Sequence, residues 1–296
     1  MKDMIFILNP RSGKEQIKNQ LLGILDLYCT AGYLPSVHVT QSAEDAEQVA
    51  AQYGEKTEIL VCSGGDGTLN NVITGIAGLS KKPKICYIPA GSTNDFARSL
   101  KIPADMKQAA GAALSGKTAR LDIGRFGDDR YFVYVAAFGA LTEVSYTTPQ
   151  DKKNFLGHPA YLLESVKHLS SLKAHTLRAV WENGEISGDF IFGMVTNTTS
   201  VGGFKGLVSQ EVSFDDGLFE VLLIRMPKTA AELSNIVSYM FLKEEENEYV
   251  FRFKASRIEF WSEVTIPWVL DGEFGGVQEH VVIENLRQEA EFFVGE

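Results

Sequence analysis

Apolar residues recur along this chain with two different periods, and the change between them divides it. Short apolar runs at residues 3–9, 34–40, 59–62 and 84–88 read as buried strands. Between them the apolar positions fall at helical spacing. The spacing predicts a helix over 15–31 with Leu21, Leu22, Ile24, Leu25 and Tyr28 on its apolar face and Gly32 as its C-terminal cap. A second helix is predicted from Ser42 to Tyr53, with Ser42 and Asp45 close to a capping box. A third begins near Thr68 and buries Leu69, Val72, Ile73 and Ile76. Strand–helix alternation over the first ~120 residues predicts an open, mainly parallel α/β sheet with right-handed crossovers.

From Thr118 onward strands dominate, at 120–126, 131–137, 175–182, 186–195, 217–224, 249–254 and 258–261. Two helices interrupt them, at 158–171 and 229–242, and residues 243–248 form a charged loop. Asn183-Gly184 between two strands is a type I′ hairpin signal. This part is predicted to be a mainly antiparallel β domain built as a two-sheet sandwich. The predicted division is residues 1–122, completed by 281–296, and residues 123–280. No internal repeat or low-complexity tract is present.

A chain of 296 residues with 45% hydrophobic and 22% charged content has the composition of an ordinary globular protein. No apolar run approaches the ~20 residues a membrane span needs. Met4-Ile5-Phe6-Ile7-Leu8 runs straight into a turn and reads as a first strand, not a signal peptide. The three cysteines, Cys29, Cys62 and Cys86, have neither disulfide nor zinc spacing and read as buried thiols of a cytoplasmic protein. A net charge of −10 argues against nucleic-acid binding and against bulk attraction to an anionic membrane. The five histidines show no metal-ligand spacing.

Candidate chemistry concentrates at strand ends. Ile59 to Cys62 breaks into Ser63-Gly64-Gly65-Asp66-Gly67-Thr68-Leu69-Asn70, a strand, a glycine turn and a helix start. That geometry turns backbone N–H groups and the positive end of the helix dipole toward an anion. The glycines let the backbone approach a phosphate closely. Asp66 would repel bare phosphate, so its chemistry fits Mg²⁺ or water held against a nucleotide. Asn9-Pro10-Arg11-Ser12-Gly13-Lys14 follows the first strand, and loops at the carboxyl ends of parallel strands converge on one crevice. Thr40, at another strand end, offers a hydroxyl to a base or ribose.

Gly64-Gly65-Asp66-Gly67-Thr68 resembles the phosphate motif shared by 6-phosphofructokinases, NAD kinases and lipid kinases. Pro89-Ala90-Gly91-Ser92-Thr93-Asn94-Asp95-Phe96-Ala97-Arg98 resembles a segment of the diacylglycerol kinase catalytic family. Asn9-Pro10-Arg11-Ser12-Gly13 and Leu270-Asp271-Gly272-Glu273 resemble two further motifs of that family, in its order and spacing. The likeness spans nearly the whole chain and is greatest to small bacterial members. It implies a phosphofructokinase- and NAD-kinase-like first domain, with the active site in the cleft beside the β-rich lipid-substrate domain. ATP and Mg²⁺ would be the cofactors. The nucleotide site would draw on Asn9, Pro10, Arg11, Ser12, Gly13, Thr40, Gly64, Gly65, Asp66, Gly67, Thr68, Leu69, Asn70 and Thr93, with Lys14 near the phosphates. Asp66 and Asp95 would organise the catalytic Mg²⁺, joined by Asp122. Glu273 matches the proton acceptor and Asp271 its metal or network partner. Ser213, Asp216 and Leu218 match a second, structural Mg²⁺ site. Asn71 and Ser92 depart from the usual pattern, which has Glu at the first position and runs Gly-Thr at the second.

The expected activity is phosphoryl transfer from ATP to diacylglycerol. The alternatives are a sphingoid base or phosphatidylglycerol as acceptor, an NAD kinase, and a catalytically silent nucleotide sensor. A soluble enzyme of this kind docks transiently on the inner face of the membrane, and Lys152-Lys153-Asn154-Phe155-Leu156-Gly157-His158-Pro159 is the candidate docking stretch. No nucleic-acid partner is expected, and a homodimer is left open.

Overall fold

The computed structural model describes residues 2–13, 17–42, 44–140, 142, 172–199, 201, 212–242 and 247–295. Two units emerge, Met1–Ile123 with Leu286–Glu296, and Gly124–Asn285. The predicted helix at 158–171 and the candidate docking stretch at 152–159 lie outside the described residues.

In the first unit four strands, β1 (Lys2–Leu8), β2 (Tyr33–Val39), β3 (Ile59–Gly64) and β4 (Lys84–Pro89), pair in the order β2-β1-β3-β4, all parallel. Helices α1 (Ile17–Thr30), α2 (Asp45–Tyr53), α3 (Asp66–Ala77), α4 (Asp95–Ser99) and α5 (Met106–Ser115) connect them and lead on from β4. β3 is buried along its whole length, which is why its sequence is a continuous apolar run. The buried stripe of α1 is Ile17, Ile24 and Tyr28, while Leu22 is 82% exposed, so Leu22 does not belong to the predicted apolar face. Cys62 and Cys86 are buried but Cys29 is exposed, which corrects the expectation of three buried thiols. No cap forms at Ser42. Helix α2 starts at Asp45, whose carboxylate instead accepts from the Gln41 N–H (2.8 Å) and pairs with His38 (3.0 Å).

The second unit contains β6 (Arg130–Phe132), β7 (Val135–Gly139), β8 (His175–Trp181), β9 (Gly184–Thr196), β10 (Phe219–Arg225), β11 (Val250–Ala255), β12 (Arg257–Leu270) and helix α6 (Ala230–Leu242). The chain passes from one unit to the other inside β5 (Thr118–Phe126) and returns inside β13 (Glu273–Phe293). Past that return, Phe292 of β13 lies parallel to Ile85 of β4, so the C-terminus completes the first sheet. Pairing in the second unit is antiparallel.

These strands form one hydrogen-bonded sheet instead of the two expected of a sandwich. The cause is strand length. β9 pairs first with β8 and then with β7, and β12 does the same, so neither lane is interrupted. The sheet folds over its own core, as the rings of Phe132 (β6) and Phe219 (β10) show. They lie 5.3 Å apart although their strands are not neighbours. Trp268 lies at the centre of this core against Phe126, Phe138 and Phe260 at 4.9–5.2 Å.

The β8–β9 hairpin forms, but its turn is Glu182-Asn183, one residue earlier than predicted and without a left-handed φ. Gly184 serves packing, because a Cβ there would stand 2.9 Å from the Trp181 ring, which stacks on Phe253 at 4.0 Å. Glu182 is held at the turn by the Ser256 and Arg257 N–H groups.

Phe219→Ala should lower unfolding free energy by about 3–5 kcal/mol, since it removes a fully buried ring that joins distant lanes of one sheet. Urea denaturation measures this. A loss below about 1 kcal/mol would mean that the core closes elsewhere.

Candidate active site

The phosphate-type loops of the first unit are built against one another. β3 ends at Gly64, and Gly65 leads in extended conformation into α3, whose first residue is Asp66. β4 ends at Pro89, followed by the loop Ala90 to Asn94 and by α4, whose first residue is Asp95. A Cβ on Gly91 would lie 2.7 Å from the Gly65 Cα, closer than real Cβ atoms come. The two loops therefore meet backbone to backbone, and no side chain intervenes. Gly13, at φ +55°, completes the contact, with its missing Cβ position 2.3 Å from the Ala90 carbonyl oxygen.

Side chains lock this arrangement. The Asp95 N–H donates to Asp66 Oδ2 (3.1 Å), joining the start of α4 to the start of α3. Both carboxylates are buried, Asp95 completely. Asn94 holds a left-handed conformation (φ 49°), and its amide closes the loop by accepting from Gly91 N–H (2.9 Å) and donating to Gly91 C=O (2.8 Å). Tyr87 donates to the Gly64 carbonyl (3.2 Å). Asn9 Nδ2 donates to Thr68 Oγ1 (3.1 Å), and the Asn9 N–H to the Ser63 carbonyl (2.8 Å), which ties the first loop to α3.

The loop from Asn9 through Pro10, Arg11 and Ser12 to Gly13 thus meets Ser63 and Thr68 at its first residue and Ala90 at its last. Ser12 and Thr68 are buried, and Arg11 is exposed. Leu69 faces the core, whereas Gly67, Asn70 and Thr93 are half-buried. Thr40, buried, donates its N–H to Leu8 C=O (2.9 Å) beside Asn9. Asp122, also buried, accepts from the Gln288 N–H (2.8 Å) and so fixes the left-handed residue (φ 53°) in β13. Lys14 lies outside the described residues. Asn94, Gly91 and Tyr87 were not singled out from sequence as site residues. The signal available was the Gly91-to-Asn94 spacing, which suits an Asn side chain closing a loop on its own backbone.

In the second unit Asp271-Gly272 forms a two-residue hairpin turn between Leu270 and Glu273, with φ values of 50° and 87°. Both are left-handed, as a type I′ turn requires. The Asp271 carboxylate is buried and accepts from three successive N–H groups, Val133 (2.6 Å), Tyr134 (3.0 Å) and Val135 (3.0 Å). These two carboxylates therefore differ in character. Asp271 anchors the turn, and Glu273 is exposed. Elsewhere in this unit, Ser213, Asp216 and Leu218 lie in a half-buried loop ahead of β10, and Asp216 accepts from the Leu218 N–H (3.0 Å). Burial pushes the Glu220 carboxyl above its usual range, and Lys254 works against this.

The family model described as the diacylglycerol kinase catalytic domain matches residues 3–126. A protein named diacylglycerol kinase from Bacillus subtilis (strain 168) is 34% identical over 94% of this chain and 91% of its own length. One of the same name from Staphylococcus carnosus (strain TM300) is 35% identical over 97% of this chain and 93% of its own. In fold the chain is similar to the crystal structure described as a putative diacylglycerol kinase from Bacillus anthracis str. Sterne. That likeness has TM-score 0.84 and 22% identity over 99% of this chain and 97% of the other. No helix among the described residues is long and apolar enough to cross a membrane.

Asp271→Asn should destabilise the protein by about 1–3 kcal/mol, because an amide presents one acceptor oxygen to three donors. Amide hydrogen exchange at Val133, Tyr134 and Val135 should quicken with it. Unchanged exchange there would contradict the anchoring role. Family motifs in order along the chain, loops of the first unit that bring three of them together and relatives alike over nearly its whole length agree: the chain belongs to the diacylglycerol kinase catalytic domain family and is a kinase.

Proposed function

We propose that this kinase transfers the γ-phosphoryl group of ATP, with Mg²⁺, to the hydroxyl of diacylglycerol and yields phosphatidic acid. The observation that carries the reading is the floor made by Gly65 and Gly91, free of side chains and bordered by buried Asp66 at the start of α3. Such a floor admits phosphate oxygens to backbone distance, and a helix start favours their charge. The parallel strands of the first unit are read as a phosphofructokinase- and NAD-kinase-like nucleotide fold. The name shared by the relatives points to the acceptor.

The donor set fits a nucleotide-bound divalent cation, since two buried carboxylates stand at successive loop ends, joined through Asp66 and the Asp95 N–H. Mg²⁺, when bound, neutralises charge on the transferring phosphoryl group. Asp66 and Asp95 would hold it. Asn9 to Gly13 and Gly64 to Asn70 would line the phosphates, and Thr40 and Thr93 would meet base or ribose. Asp122 keeps the β13 bend in place. Glu273, exposed at a turn fixed by Asp271, takes the proton from the acceptor hydroxyl. Diacylglycerol stays in the bilayer, so the acceptor is met at a membrane surface.

Labelled ATP and a panel of detergent-dispersed lipids test this reading. Diacylglycerol should become labelled, and Glu273→Gln should cut kcat roughly 10²–10⁴-fold at unchanged Tm. Preferred labelling of a sphingoid base, phosphatidylglycerol or NAD⁺ would overturn the acceptor. Undiminished turnover in Glu273→Gln would overturn the base.

A further inference from the structure

The resemblance assigns a structural Mg²⁺ to the loop that holds Ser213, Asp216 and Leu218, and the side chains around that loop point to a different cation. Asp216 uses one oxygen for the Leu218 N–H (3.0 Å), and its other oxygen faces Lys254 Nζ at 3.5 Å. Lys254 lies directly opposite Glu220 in the β10–β11 register, with Nζ 3.2 Å from Glu220 Oε1. Glu220 interrupts an otherwise apolar strand, Phe219-Glu220-Val221-Leu222-Leu223-Ile224, and is only 8% exposed. The lysine ammonium is the cation paired with it, and this pairing offsets part of the cost of burying the carboxylate.

A divalent ion would compete with the lysine here. Mg²⁺ needs oxygens at about 2.0–2.1 Å and near-octahedral geometry. An ion bonded to the outward oxygen of Asp216 would sit beside an ammonium that already lies 3.5 Å from that oxygen. The two cations would repel at close range in a partly buried setting. A lysine is suited to the task, being a compact point charge on a flexible stem. Its tether to β11 spares it the entropy that a free ion loses on binding.

We propose that Lys254 is the resident cation of this loop: held between Asp216 and Glu220, its ammonium does what the resemblance assigns to a structural Mg²⁺. The second unit then folds without a divalent ion, and its metal dependence is separated from that of catalysis. Glu220 is the buried anchor of the arrangement, because a carboxylate so enclosed needs a fixed partner.

Scanning calorimetry of the full chain without nucleotide, in EDTA and in Mg²⁺, tests this. Wild type should show one Tm in both buffers, and Lys254→Arg should match it. Lys254→Met in EDTA should fall by about 2–6 °C. A wild-type Tm that rises in Mg²⁺, with the rise abolished by Asp216→Asn, would overturn the proposal. So would a Lys254→Met Tm equal to wild type in EDTA. Should Lys254→Met fail to fold, Mn²⁺ binding followed by electron paramagnetic resonance decides. Wild type and Asp216→Asn should bind equal numbers of ions, and one fewer in the variant would place a metal at Asp216.

Discussion

One hydrogen bond, from the Asp95 N–H to the Asp66 carboxylate, sets the geometry on which the first unit depends. Two carboxylates are buried at the ends of neighbouring parallel strands, an arrangement that is costly unless each is engaged. Asp66 meets the demand by reaching the next loop, and that reach fixes how close the loops come. At position 91 only glycine tolerates the resulting approach, since a Cβ there would lie 2.7 Å from the Gly65 Cα. Only a residue at ease in left-handed backbone, here Asn94, carries the chain from Gly91 into α4. The glycine floor between the two loops follows from satisfying a buried acid.

The second unit solves a similar problem twice, with different outcomes. Asp271 is saturated by three N–H donors, and this leaves it an anchor and Glu273 the exposed carboxylate of the turn. Glu220, by contrast, lies in an apolar strand and pairs with a cross-strand lysine. Asp271 fixes backbone through hydrogen bonds, whereas Glu220 joins two neighbouring strands through a side-chain ion pair. The folded-over sheet supplies the rigidity for each, because its core reaches from Phe132 to Phe219 across strands that never pair.

Much of this was legible in the sequence wherever a residue type has a single physical use. The apolar run from Ile59 to Cys62 could only be a buried strand, and the glycines after it only a turn of close approach. Continuity of the second sheet was not legible, since pairing of β9 with both β7 and β8 depends on strand length and on partners distant in sequence. The Asn183-Gly184 signal misplaced a turn because Gly184 is there to clear the Trp181 ring, a tertiary demand that overrides local turn chemistry. Leu22 was misassigned because helical periodicity does not say how wide the buried stripe is, and Cys29 because the absence of disulfide or zinc spacing does not say which thiol is buried. The division of roles between Asp271 and Glu273 was hidden as well, since the donors of Asp271 lie 136 to 138 residues away. Glu220 was not singled out within the strand at 217–224, because its partner Lys254 is distant in sequence.

The central claim is that the buried Asp66–Asp95 pair exists to hold a divalent cation against nucleotide phosphates. Calorimetric titration of ATP into the protein, with and without Mg²⁺, tests it most directly. Wild type should bind ATP at least roughly tenfold more tightly with Mg²⁺, a difference of about 1.4 kcal/mol, and Asp66→Asn should erase that difference while still folding. Equal affinity in the two buffers, or a Mg²⁺ effect that survives in Asp66→Asn, would contradict the account.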